Sequence, residues 1–396
     1  MHLLIAQVKV GSISVVPLNK RGHILNPTWS ANNTLAFELI VDDAAIHLYP
    51  VGATVPARKL IGVEKSNSSV FGFSKTISSR LPLWSKINRN SIFFLYDQDN
   101  MPFSLGKMHA VEFDKTPYNL SDPNMIKLDR VIYQTSNIRE YHTVIMDEIE
   151  YIFLRTQDLP ELIFYTDQGE KIGKLSADGT LRQNKNQIIP GWPGNWLAID
   201  EIISSFSVTT YGNIIICKGN DSNKKFILGQ LNIMDYEASY RELAIRKLSD
   251  SVLLEPSFCP NDTNIIAYVE RARNENKEDY HRLRLHHLDT QIDYLITDSL
   301  YKNVSNKISR PNSNSYVWHP SGSYIFYINT NLKRMVVAIN LGSLPDTTPR
   351  VITTGIEYAD QLAISPNGRH LAVMTQIADD DSGALGQLYI LELEYW

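Results

Sequence analysis

Two cysteines in 396 residues, Cys217 and Cys259, are too few and too far apart for a disulfide-stapled scaffold, a CxxC redox centre or a thiolate metal site. They are expected to be small buried hydrophobes. One-sided charge is also lacking: 38 Lys and Arg stand against 43 Asp and Glu, a formal net charge of -5. A chain devoted to gripping phosphates draws on clustered Lys and Arg, so no nucleic-acid partner is expected. No stretch approaches the ~18 uninterrupted apolar residues of a spanning helix, which excludes membrane insertion by that route. The start, Met1 to Val10, has no basic region and no long apolar core, and Gln7 and Lys9 interrupt it. A cytoplasmic location is the expectation, with the periplasm or secretion as the alternative if a leader was removed. Gly-x-Ser-x-Gly, a phosphate-cradling Gly-rich loop and His-Glu-x-x-His are all missing, so no catalytic residue, metal or cofactor is assigned.

What the chain has is short apolar runs separated by turn chemistry, with helical periodicity nearly absent. Leu35–Ile40, Ser91–Tyr96, Asn213–Cys217 and Tyr324–Ile328 are rich in β-branched and aromatic residues and read as strands. Twenty Tyr and thirteen Phe provide broad faces for packing sheet on sheet.

Under this rhythm lies a repeat. Pro27-Thr28-Trp29-Ser30-Ala31-Asn32-Asn33-Thr34-Leu35-Ala36-Phe37 returns at Pro256–Tyr268, at Tyr316-Val317-Trp318-His319-Pro320-Ser321-Gly322-Ser323-Tyr324 and at Leu362–Val373, with a weaker copy at Leu83–Phe94. Each copy is an apolar strand end, a turn of the Ser/His-Pro-Asn/Ser-Gly type and a second strand. The Pro sets φ at the turn's entry, the Asn or Gly accepts a left-handed conformation, and the chain reverses into an antiparallel hairpin. A third strand follows, as in Ala45–Tyr49 or Met335–Ile339, and a fourth in the better copies, as in Arg58–Ile61. Four strands about every 40 to 55 residues is the period of a propeller blade.

The motif resembles the TolB-like, WD40-like propeller repeat, whose core reads approximately Trp/Phe-Ser-Pro-Asp-Gly-Lys-x-Leu/Ile-Ala-Phe. Ile364-Ser365-Pro366-Asn367-Gly368-Arg369-His370-Leu371-Ala372-Val373 matches it best, Ala31 and Asn33 depart from it, and the middle of the chain keeps only the strand rhythm. No Trp-Asp dipeptide occurs, so the WD40 repeat proper fits less well. The fold expected is all-β: a single β-propeller domain, 1–396, of four-stranded blades. Blades near 27–62, 83–134, 141–176, 202–248, 255–297, 316–354 and 361–395 make seven, with six or eight left open by the degenerate centre. The strand at 3–10 is expected to complete the last blade and hide an edge.

TolB-like propellers also precede the peptidase domain of prolyl oligopeptidase-like enzymes, but the repeat occupies the chain and no hydrolase domain is read here. Among polar clusters, His281, His286 and His287 raise a metal site. Alternation along β-type spacing instead puts Arg282, Arg284 and His286 on one side of a strand, opposite Leu283 and Leu285, and that side is expected to be solvated and suited to an acidic partner. Asp379-Asp380-Asp381 and Asn274–Asp279 read as solvated loop tips. Trp192 and Trp196, in Ile189-Pro190-Gly191-Trp192-Pro193-Gly194-Asn195-Trp196, sit on a constrained loop where they serve either as binding anchors or as plugs between blades. Trp29, Trp84 and Trp318 occupy the repeat's own core position. The long connections through 98–103 and 116–123 and across 176–196 are where a partner footprint is expected.

The function expected is a non-enzymatic protein-protein interaction module, a scaffold or subunit of a larger assembly, binding through loops on a propeller face. The resemblance implies the same, because TolB-like propellers bind protein segments at a face or at the channel mouth. Two alternatives stand beside it. One is a metal-dependent, lactonase-like hydrolase or glycan-binding propeller with a site at the channel mouth, and the other is a translocated effector or toxin component that seizes a host protein.

Overall fold

Runs of Ile, Val, Phe and Tyr bounded by Asn, Gly, Ser and Asp leave the backbone little choice but extended strands joined by tight turns. The computed structural model of the chain describes residues 8–41, 44–61, 77–88, 91–98, 104–109, 130–134, 138–156, 162–168, 171–175, 181–183, 203–220, 223–232, 237–245, 248, 251–302, 315–344, 349–353, 355–377 and 385–395. Among these residues the only helices are two single 3-10 turns, and no helix is long and apolar enough to cross a membrane.

β1 (Val8–Val15) is followed by a four-stranded antiparallel meander of β2 (His23–Trp29), β3 (Thr34–Ile40), β4 (Ala44–Pro50) and β5 (Arg58–Ile61). A second comprises β6 (Ile77–Trp84), β7 (Ser91–Gln98), β8 (Ser104–His109) and β9 (Arg130–Gln134). Five strands make the next, β10 (Ile138–Met146), β11 (Ile149–Thr156), β12 (Leu162–Thr166), β13 (Lys171–Leu175) and β14 (Leu181–Gln183). β15 (Ile203–Val208), β16 (Asn213–Asn220), β17 (Asn223–Asn232) and β18 (Glu237–Leu243) form another group of four. β19 (Val252–Cys259), β20 (Asp262–Arg273), β21 (Asp279–His287) and β22 (Ile292–Leu300) come next, then β23 (Tyr316–Trp318), β24 (Tyr324–Asn329), β25 (Met335–Asn340) and β26 (Arg350–Val351). β22 is in register with β24 at one described pair, Leu300 opposite Asn329, beside which Tyr301 N–H donates to Ile328 O. The last sheet is β27 (Ala359–Ile364), β28 (His370–Ile377) and β29 (Leu385–Tyr395), with β1 antiparallel against β29.

The chain divides into two compact units, one built chiefly from Val8–Asn137 and Thr353–Trp396, the other from Ile138–Pro311 and Trp318–Ile352. In the first unit, β1 runs in register from Val8 opposite Tyr395 to Val15 opposite Tyr389, with a bulge between Val10 and Ser12. The pairing is described from Val8 onward, and residues 3–7 lie outside those described. Trp29, Phe37 and Leu39 pack with Ala372, Met374, Leu388 and Ile390 in one apolar layer between the first meander and the last sheet. In the second unit, Phe153, Phe164, Phe206, Ile214 and Ile216 make the corresponding layer between β10–β14 and β15–β18.

The repeat's turn is a hydrogen-bonded device. Ser30 N–H donates to Thr34 O, and the Ser30 hydroxyl accepts from the N–H groups of Asn32 and Thr34. Ser365 repeats this with His370, and His319 uses its Nδ1 on Ser321 N–H. The residue three positions on is left-handed: Asn33 at φ 58°, Gly322 at 70° and Gly368 at 74°. Ser85 at the weaker copy, and Thr209 in the central region, make the same turn, with Gly212 left-handed at φ 76°.

Candidate functional site

The first strand of each of six groups is bulged, which bends it locally. In the first unit the bulged strands carry a chain of contacts. Gln361 Oε1 on β27 accepts from the N–H of left-handed Asn26 at 2.7 Å; Asn26 Nδ2 donates to Glu38 Oε1 at 2.6 Å; and the same Glu38 oxygen accepts from the N–H of left-handed Leu81. Three sheets are thus tied by groups buried from water. Trp29, Trp84 and Trp318 are all buried, as their place in the repeat requires. The indole N–H of Trp318 reaches Ser257 Oγ at 2.9 Å within the second unit.

Of the residues singled out from sequence, Trp192 and Trp196 lie outside the described residues, as do segments 99–103, 116–123 and 184–196 and the Asp379-Asp380-Asp381 cluster. Asn274–Asp279 is an exposed hairpin tip closed by Asn274 N–H to Glu278 O and Lys277 N–H to Asn274 O. Cys217 and Cys259 are free and buried, and burial pushes both thiols up.

Arg282, Arg284 and His286 do share one side of β21, but that side is not solvated, which corrects the expectation. Arg282 and Arg284 side chains are 13% and 14% exposed and His286 is 1% exposed. The reason is packing: the same side of the sheet carries Ile266 and Tyr268, which bury against Ile215, Cys217 and Phe226 of β16 and β17. Alternation separates two sides of a strand without saying which one meets water.

The burial is made tolerable by acids that the sequence reading missed. Registry across the β20–β21 hairpin sets Glu270 opposite Arg282 and Tyr268 opposite Arg284, and β22 sets Asp293 opposite His286. The Glu270 carboxylate, wholly buried, accepts from Leu248 N–H at 2.8 Å, Ser251 Oγ at 2.7 Å, Arg282 Nη1 at 3.2 Å and Arg284 Nη1 at 3.4 Å. Asp293 Oδ1 takes the Tyr268 hydroxyl at 2.9 Å and lies 3.2 Å from His286 Nδ1. Burial, reinforced by the Asp293 charge, drives the Tyr268 hydroxyl pKa far above its ordinary value, so the phenol stays protonated. Arg284 Nε and His286 Nε2 have no partner among the described residues. The arrangement holds two cations in the protein interior and joins three strands. The signal for Glu270 was a lone acid in the apolar run Ile265 to Val269, legible only once the hairpin register is known.

The three histidines do not converge: the strand's alternation sends His281 to the side opposite His286. Among the described residues no group of three or more His, Cys, Asp or Glu is placed to hold a metal ion.

Beside the cluster lies a cleft of about 680 Å³, lined by Leu248, by Asn274 and Asp279–Arg282, by Leu295 and Asp298–Lys302, and by Thr330 and Asn331. Burial, with the charge of Arg271, brings the His281 imidazole down to about 4, against a smaller opposing pull from Asp279. Burial, with Lys224, brings the Lys302 amine down to about 7, opposed by Glu140; its Nζ contacts the Glu255 carboxylate.

No protein-family model matches the sequence, and no curated protein matches it. Solved structures do. The WD40 domain of Toxoplasma gondii coronin is similar at a TM-score of 0.52 and 7% identity, over 97% of this chain and 88% of that one. The β-propeller domain of Myceliophteria thermophila Cps50 (Swd1) gives 0.51 and 12%, over 96% and 99%. A puromycin-hydrolyzing peptidase of Mycobacterium tuberculosis gives 0.52 and 9%, with 96% of this chain spanning 54% of that one. At such identities the likeness concerns the fold alone, and that fold is the β-propeller.

Proposed function

We propose that the chain is a non-enzymatic β-propeller of the TolB-like type, a scaffold or subunit of a larger assembly that binds protein partners through loops on one propeller face. In this reading residues 1–396 form a single domain of seven blades. The eight strands β19–β26 count as two blades that meet at Leu300 and Asn329, β14 is an extra strand on the third blade, and β1 completes the last.

The observation that carries the reading is the fate of Glu270, Arg282 and Arg284. The two arginines that the sequence singles out, Arg282 and Arg284, are both bonded to Glu270 inside a sheet. They serve to hold strands together, and recognition falls to the connections between strands. The neighbours include WD40 domains alongside a peptidase, and both kinds are compatible with a rigid ring that displays loops.

Affinity purification of the intact protein with mass spectrometry, run beside a Trp192→Ala/Trp196→Ala variant, tests this. A discrete set of protein partners, diminished by the double variant, is expected. Capture of no protein above background contradicts the scaffold role, and an unchanged set removes the tryptophan loop from it.

A further inference from the structure

β1 covers the edge of β29 and in doing so becomes the edge itself. Among the described residues it pairs on one side only, in the strand order β1-β29-β28-β27. Val16 N–H donates to Leu388 O, and successive residues of an antiparallel pair alternate between facing the partner strand and facing away. Ser12 and Ser14 therefore bond β29, while the N–H and C=O groups of Ile13 and Val15 point outward, with no strand beyond them among the described residues. Gly11 to Val15 are all exposed, and two of them are large and aliphatic: Ile13 at 46% and Val15 at 51%.

Sheets commonly protect such edges with charge, since a solvated cation is costly to bring against a second strand. The last strand of every other sheet holds an arginine: Arg58 on β5, Arg130 on β9, Arg182 on β14, Arg241 on β18 and Arg350 on β26. β1 has Lys9 near its start, 3.5 Å from Glu394, and no charged residue follows from Val10 to Asn19. The exposed half of this edge lacks the protection that the others carry.

The same segment reads nearly alike in both directions. About Ile13 the order is Val10-Gly11-Ser12-Ile13-Ser14-Val15-Val16, so antiparallel pairing with an identical strand sets Ile13 against Ile13, Ser12 against Ser14 and Gly11 against Val15. The outward groups of the two Ile13 residues then exchange both hydrogen bonds, and the two Lys9 side chains fall at opposite ends of the paired stretch. Self-complementarity of this kind is what a twofold contact between identical chains requires, and it argues for a second copy over an unrelated extended segment.

We propose that two copies of this protein associate edge to edge through β1, antiparallel about Ile13, joining their four-stranded last sheets into one. The contact does not depend on the binding of other proteins by loops. It engages about five residues a side and covers less than the roughly 1,200 Å² of a standard interface, so association is weak, with Kd on the order of 0.1 mM.

Sedimentation equilibrium of the full-length protein, from about 5 µM to about 0.5 mM so as to bracket that constant, is the test. A reversible monomer–dimer equilibrium is expected, weakened about tenfold or more by Ile13→Lys and by Ile13→Asp alone and restored when the two variants are mixed, because the opposed side chains then attract. Ile13 is exposed, so both variants are expected to keep the wild-type melting temperature. Hydrogen exchange of the wild-type chain needs no variant: the outward amides of β1 are expected to exchange freely at about 1 µM and to gain protection at about 1 mM. A monomer at every concentration, a dimer that survives both Ile13 variants, a mixture no more associated than its components, or added protection that appears elsewhere and not in β1 overturns the proposal.

Discussion

The indole N–H of Trp29 donates to the carbonyl of Ala363, 2.9 Å away and 334 residues along the chain, inside an apolar layer sealed from water. Trp318 makes the related contact to Ser257 from the same position of its own repeat. Trp29 and Trp318 are thus both core side chains and polar ties, which a Leu or Phe of similar bulk cannot be, whereas the indole N–H of Trp84 finds no such partner among the described residues.

Trp29→Phe leaves the Ala363 carbonyl without its donor, at an expected cost of about 1 to 3 kcal/mol. Trp318→Phe is expected to cost less, because the Ser257 hydroxyl can rotate toward another partner. Urea unfolding of both variants measures the difference, and equal losses would count against the distinction.

Glu270→Ala strands two guanidiniums in the interior, and a loss of about 3 to 5 kcal/mol is expected. Replacing all three members, Glu270→Met with Arg282→Met and Arg284→Met, is expected to recover a large part of it, since apolar groups of similar length need no counter-ion. A loss under about 1 kcal/mol for Glu270→Ala would show that water reaches the cluster.

Gly212 and Gly52 are both left-handed, at φ 76° and 80°, but a Cβ at Gly212 would sit 2.1 Å from Leu231 O while one at Gly52 meets nothing within 4 Å. Gly52→Ala is expected to cost about 1 kcal/mol from backbone strain alone. Gly212→Ala is expected to cost at least twice that, as a drop in melting temperature reports directly.

Stability is expected to fall as pH drops from about 6.5 toward 4. Burial lowers the His281 pKa from 6.5 to about 4 in the folded chain, so across that window the unfolded chain binds the extra proton and is favoured. The contribution is complete above the unfolded value and lost as pH approaches the folded one, about 3 kcal/mol at full amplitude. His281→Gln should flatten the pH profile of urea midpoints. A residual slope is expected from His47 and His370, whose pKa values burial also lowers.

The turns were legible because their chemistry is local. Ser365 and His319 advertise themselves through the Pro and Gly that follow, and Ser30 through Asn32-Asn33. Thr209 did not, because Thr210 and Tyr211 fill the intervening positions and only the Thr hydroxyl and Gly212 preserve the device. Asn33 was read as a departure from the repeat, yet Asn adopts the left-handed conformation of the glycine it replaces. The buried charges of β21 were misread for a different reason. Their environment depends on Glu270 and Asp293 across two registers and on Phe226 from another sheet, none of which the alternation of one strand encodes.

The place of the first strand in the final sheet is tested most directly by hydrogen exchange followed by mass spectrometry on the intact protein. In β1, the amides of Val8–Val15 that face β29 should exchange as slowly as those of β29 itself, leaving about half of the segment protected because its outer edge is unpaired. Complete exchange of the segment within seconds, with β29 protected, would contradict a propeller completed by its N-terminal strand.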